Sequence, residues 1–142
     1  MAWIGVLILK KLLLILLTLT FSFADDISIE KKIYETFFAE LSPREKPYVY
    51  VDTPIASLEL KSDKFILTDS CKKADIAIMT QSDLPYDCRK KVVFGTRYRH
   101  LKKKYVVGAF FWQKGRPNIV FQRTKLRRKN IELSPSLQEY AE

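Results

Sequence analysis

Little in this chain of 142 residues is equipped for covalent chemistry. Its one histidine, His100, sits in the run Arg97-Tyr98-Arg99-His100-Leu101-Lys102. The flanking cations disfavour an imidazolium, and no carboxylate lies close in sequence to orient the ring as a general base. His100 is therefore read as a surface or interface residue. Asp69-Ser70, Asp83 and Asp87 supply acids and a hydroxyl. No nucleophile elbow, HExxH helix or glycine-rich phosphate loop accompanies them. An acid–base pair of carboxylates would have to be assembled by the fold, which residue order does not reveal. Two thiols with one histidine make a poor zinc set. The expectation is a protein that is not an enzyme and carries no cofactor or metal.

Residues suited to recognition are more numerous. The chain carries 25 Lys and Arg against 16 Asp and Glu, a formal charge of +9. The excess gathers in Arg89 to Lys91, Arg97 to Lys104 and Arg123 to Lys129. Such charge favours encounter with acidic proteins, anionic headgroups or nucleic acid. Arg116, Arg123, Arg127 and Arg128 are candidates for a partner-binding or anion-binding face, because guanidinium forks match carboxylates and phosphates. Solvation of a short helix is the plainer alternative for them. Tyr98 and Tyr105 join the candidates as aromatics among cations, although core packing accounts for much of the 105–112 segment.

Lys10-Lys11, the apolar run Leu12 to Leu19 and the small residues Ser22 to Ala24 have the layout of an export signal. The apolar stretch is shorter than the roughly 20 residues a membrane span needs. Residues 1–24 are expected to be cleaved after Ala24, with retention as an inner-membrane anchor as the alternative. Residues 25–142 then form one domain. Export argues against nucleic acid as partner. It leaves a membrane-bound or envelope protein with an acidic surface, with peripheral contact to the membrane itself as a further option. In an exported chain, an even cysteine count points to a bond between Cys71 and Cys88. Free thiols, or a bond between chains, are the alternatives.

These groups must be positioned by a mixed fold. Ile29, Ile33, Phe37 and Leu41 recur every four residues, with Tyr34 and Phe38 beside them, predicting an amphipathic helix that stops before Pro43. Tyr48 to Val51, Ala74 to Met79 and Val92 to Gly95 read as short strands, the latter two with apolar runs lacking alternation. Such runs fit strands covered on both faces of a partly parallel sheet. Ser82 to Lys90, broken by Pro85, is short for a full crossover helix. Tyr105 to Trp112 and Asn118 to Phe121 predict a hairpin about Gly115, with Pro117 at the entrance of its second strand. Thr124 is read as capping a short basic helix. Ser134-Pro135 opens a terminal helical turn. The predicted class is α/β: one domain, a mixed and partly parallel sheet, flanking helices and a carboxyl-terminal β-hairpin. Its buried strand residues are predicted as Val49, Ile76, Ile78, Val92, Phe94, Val107, Ala109, Phe111, Ile119 and Phe121.

Gly108-Ala109-Phe110-Phe111, Gly115-Arg116-Pro117 with Ile119 and Phe121, then Leu126, Ile131 and Pro135-Ser136-Leu137-Gln138 form a pattern. In these residues the chain resembles the YfiR-like family of small periplasmic proteins. Cys71 to Ile78 is similar to that family's cysteine–aspartate approach to a central strand, with a longer gap. The similarity is strongest over residues 105–142 and faint before residue 70. It implies an exported periplasmic α/β domain, often a homodimer. It also implies a non-enzymatic regulator that contacts a membrane-bound signalling protein such as a diguanylate cyclase; related domains occur in sensor proteins. The chain departs from the family in its shorter middle, its single cysteine pair, its basicity and Thr124 where asparagine is favoured. Two alternatives stand beside the regulator: a small-ligand or anion-binding sensor module, and a structural component of an envelope assembly.

Overall fold

The computed structural model describes residues 8, 10, 11 and 26–142. The expected export segment therefore lies outside the described residues, apart from helical positions 8, 10 and 11. Along the chain follow α1 (26–41), β1 (Tyr48–Val51), α2 (Ala56–Glu59), β2 (Ile66–Thr68), β3 (Ile76–Met79) and α3 (Tyr86–Arg89). Then come β4 (Val92–Gly95), a 3₁₀ turn (Tyr98–Lys102), β5 (Val106–Gln113), β6 (Arg116–Phe121), α4 (Arg123–Arg128) and α5 (Pro135–Gln138). Among the described residues, no helix is long and apolar enough to cross a membrane.

The strands form one six-stranded sheet in the order β2-β1-β3-β4-β5-β6. All neighbours run parallel except β5 and β6, which form the antiparallel hairpin. This is a single α/β domain with a mixed, mostly parallel sheet. The hairpin turn is the two residues Lys114-Gly115, both with positive φ (53° and 72°). Two positive φ values suit the right-handed twist of the flanking strands, and glycine takes one without a Cβ penalty. Pro117 lies on the edge strand, where its missing N–H is tolerated.

All four residues of β3 are buried, because covers lie on both faces. One face carries Val49, Ile76, Ile78, Phe94, Phe110 and Phe121 beneath α1, α2, α4 and α5. Phe37 of α1 stands at its centre, 5.2 Å from the Phe94 ring, 6.0 Å from Phe110 and 5.5 Å from Phe121. The opposite face packs Ala77, Met79, Val93, Val106 and Ala109 against Leu84, Cys88 and Leu101, supplied by the segments around α3 and the 3₁₀ turn. Cys71 and Cys88 are bridged, with Cα atoms 4.9 Å apart, inside the range a disulfide needs. The bridge pins α3 to the turn that precedes β3.

Several local readings are corrected. Ile29 is 46% exposed rather than on the buried stripe. A four-residue step turns 400° on a helix of 3.6 residues per turn, so Ile29 has drifted roughly 130° from the centre of the Tyr34–Phe37–Phe38–Leu41 face. Val92, Phe111 and Ile119 are only half-buried, whereas the other seven predicted strand residues are buried. The register of β4 and β5 shifts between Val93 and Phe94, which pair with Val106 and Gly108. The bulge at Val107 reverses the alternation, so Val107 faces the α1 side while Ala109 and Phe111 face the other. The cap of α4 is Gln122, not Thr124, which lies within the first helical turn. Ser134 does occupy the cap position of α5 with Pro135 behind it, but its hydroxyl pairs with Ser136 at 2.9 Å.

Two measurements follow. Phe37→Ala should lower unfolding free energy by about 3–5 kcal/mol, as expected for a truncated core aromatic; urea denaturation reads this, and a loss under 1 kcal/mol would contradict the packing. Replacing both cysteines by serine should cost about 3 kcal/mol or less, given a sequence separation of 17. Mass spectrometry after alkylation should find both cysteines unlabelled until reductant is added.

Candidate functional site

α4 sorts its cations by helical period. Lys125 and Lys129, one turn apart, reach back to the body of the domain. The Lys125 ammonium donates to the carbonyls of Leu101 and Lys103, the latter at 2.8 Å, and Lys129 donates to Lys90 O at 2.9 Å. Burial lowers both lysine pKa values, with Arg128 adding to the effect at Lys125. These two residues clip the helix to the end of the 3₁₀ turn and to the end of α3, and are not free for a ligand. Arg123 and Arg127, also one turn apart, project from the other side of the helix over a hollow. Arg128 is exposed and does not line that hollow.

The hollow has a volume of about 590 Å³ and lies between α4 and α5. Its near wall is fixed by the way α4 ends. Asn130 takes a left-handed φ of 57°, its N–H donating to Arg127 O, while the Ile131 N–H donates to Leu126 O, both at 3.0 Å. This pair of bonds is the Schellman arrangement, and Leu126 and Ile131 supply its apolar contact. The far wall is held by the Glu142 N–H on Phe121 O at 2.7 Å and the Arg123 N–H on Glu142 O at 2.9 Å.

The other candidates lie elsewhere. Arg116 sits at the hairpin end of β6, roughly 17 Å along the strand from Phe121; with Gln113, Lys114 and Asn118 it borders a separate shallow hollow. Tyr98 is 59% exposed and meets Phe111 edge-on at 6.1 Å. Tyr105 donates its hydroxyl to Asp83, which also takes Arg89 Nη2 at 3.0 Å. The Arg89 guanidinium lies 5.4 Å from the Tyr105 ring centre. The tyrosine hydrogen bond, then the Leu84 N–H, hold the Asp83 carboxyl below its usual range. Burial, followed by that same bond, raises the Tyr105 phenol. The structure thus brings Arg123 and Arg127 together, places Arg128 beside them, and separates Arg116, Tyr98 and Tyr105. Among the described residues no cluster of His, Cys, Asp and Glu is arranged to hold a metal.

A second group escaped sequence reasoning. In parallel sheets, crevices for ligands open where the strand order reverses, here between the carboxyl ends of β1 and β3. In this domain Asp52 fills that point. Its carboxylate accepts Thr80 N–H at 2.9 Å, Thr80 Oγ1 at 2.6 Å and Gln81 N–H at 2.9 Å. An acid directly after the apolar run Tyr48 to Val51 was the available signal. Beyond it, His100 is only 3% exposed, correcting its reading as a surface residue. The 3₁₀ turn folds the ring onto Gly95, where any Cβ would stand 2.6 Å from His100 Cβ. His100 Nδ1 accepts the Thr96 N–H at 3.1 Å, while buried Nε2 has no partner. Burial, then Arg99 and Arg97, lower the imidazole pKa, against the pull of Asp52.

The folded state thus holds His100 neutral, whereas the unfolded chain takes up a proton near the ordinary value of about 6.5. Stability is complete above that pH and declines as pH falls towards the lower folded value. Urea midpoints measured from pH 7.5 down to 5 should fall in wild type. His100→Gln should flatten the part of the slope below 6.5, and an unchanged slope would show that another group carries it.

No family model matches this chain. No curated protein matches it either. Among solved structures, the chain is similar to a conserved domain protein from Vibrio cholerae O1 biovar El Tor, at a TM-score of 0.53 and 11% identity. The likeness covers 78% of this chain and 58% of the other, so the chain spans somewhat over half the length of that structure. At that identity the likeness is one of fold.

Proposed function

We propose that this domain is a non-enzymatic periplasmic accessory or regulatory protein that docks onto an acidic surface of a membrane-bound signalling protein. One observation carries the reading. Arg123, Arg127 and Arg128 are exposed on one short helix, and none makes an ion pair among the described residues, although Lys125 and Lys129 of the same helix and its cap are tied down. Fixing the helix backbone through Lys125 and Lys129 presents the guanidiniums in a set register. Clustered exposed charge of one sign steers encounter and fixes orientation more than it adds affinity. The bridge between Cys71 and Cys88 supports an oxidising compartment. We read residues 105–142 as resembling YfiR-like proteins, which points to a membrane-bound cyclase or a comparable signalling enzyme as the partner.

Crosslinking in intact cells and identification of the captured protein supplies the partner. Reversing Arg123, Arg127 and Arg128 to glutamate should leave the fold intact and reduce the association rate at least tenfold at low salt. The difference should shrink at physiological salt, where screening acts within about 8 Å. Equal rates for wild type and variant at both salts would remove this face from the docking surface.

A further inference from the structure

We propose that the hollow between α4 and α5 binds a small amphipathic monocarboxylate, a molecule with one carboxyl group on an apolar chain. Its volume of about 590 Å³ lies within the range of small-ligand sites. The chemistry of its lining is divided. Arg123 and Arg127 stand on one rim, one helical turn apart, which places their Cβ atoms about 5–6 Å from each other. Leu126, Ile131, Leu133 and Ala141 contribute apolar surface. Paired guanidiniums above apolar surface match a head that is charged and a tail that is not.

Two further details narrow the ligand. Glu132 borders the same hollow without pairing to either arginine within ion-pair distance. Its negative charge opposes a second charge on the ligand, so a carboxylate fits where a phosphate dianion does not. Asn130 and Gln138 also line the hollow, the latter donating one N–H to Leu133 O at 3.0 Å, but both are neutral amides. The charge on the ligand is left to the two arginines. The walls are held by the Schellman bonds after α4 and by the strand-like bonds of residues 140–142, so binding orders the arginine side chains but little backbone. The site goes beyond the docking role proposed above and needs no protein partner, and either can fail while the other holds.

The test is an amide chemical-shift titration of the purified, isotopically labelled protein with sodium octanoate. Sodium acetate supplies the charge without the tail, 1-octanol the tail without the charge, and inorganic phosphate the dianion. Octanoate should give saturable shifts centred on residues 123–133 and 138–141, with each control at least tenfold weaker. The double variant Arg123→Gln, Arg127→Gln should weaken octanoate at least tenfold while the rest of the spectrum is unmoved. Non-saturating shifts across both sheet faces, acetate or phosphate matching octanoate, or full binding by the double variant would each overturn the proposal.

Discussion

Four-residue parallel strands cannot stand with either face wet, and the rest of this domain is arranged around that constraint. Ile76 to Met79 point alternately to the two faces, and every one of them is apolar and buried. On one face a single long helix and three short ones exclude water. On the other, no long helix is present among the described residues; a helical turn, a 3₁₀ turn and a cysteine bridge do the same work. The short covers have little area of their own, so they are fastened by discrete bonds. The Cys71–Cys88 bridge holds α3, His100 wedges the 3₁₀ turn against Gly95, and Asp83 ties Tyr105 to Arg89. Covalent and polar fasteners take the place of a helical layer.

The same economy explains the uneven roles of the basic residues. A lysine offers a long flexible stem and three donors, and Lys125 uses them to satisfy two backbone carbonyls at once. The arginines carry planar forks that pair best with carboxylates, and those on α4 lack a protein carboxylate among the described ion pairs. Charge that looks uniform along Arg123 to Lys129 is therefore divided by the helical period. One side holds the helix in place; the other stays exposed.

Much of the architecture was legible in the residue pattern. Unbroken apolar runs at Ile76 to Met79 and Val92 to Gly95 indicate parallel strands, and Lys114-Gly115 lies where the hairpin turns. Less legible were features that depend on phase or on tertiary partners. Ile29 follows a plausible four-residue rhythm yet drifts off the buried face. The bulge at Val107 inverts the alternation of β5, which no local preference signals. β2 has only three residues, and Ile66 and Leu67 stay 37% and 38% exposed at the sheet edge, so its pattern carries little information. His100 looks solvated because its sequence neighbours are cations, but its burial comes from a glycine five positions earlier. Of the arginines, sequence proximity grouped Arg123, Arg127 and Arg128; only the fold separates Arg116.

The position of α1 has a consequence for how the chain acquires its structure during synthesis. Phe37 emerges early, but two of the three sheet rings it packs against, Phe110 and Phe121, belong to the last two strands. The larger core consequently cannot close while the ribosome is still making β5 and β6. Until then the apolar face of α1 is only partly covered, by Phe65 against Phe38 and Phe94 against Phe37. Long-range pairing of this kind slows folding and lengthens the exposure of apolar surface. A helix that waits for distant strands leaves its apolar face uncovered for longer than one that packs on its sequence neighbours. The α1-side core is completed only by contacts to β5 and β6, so its closure joins the start of the domain to its end.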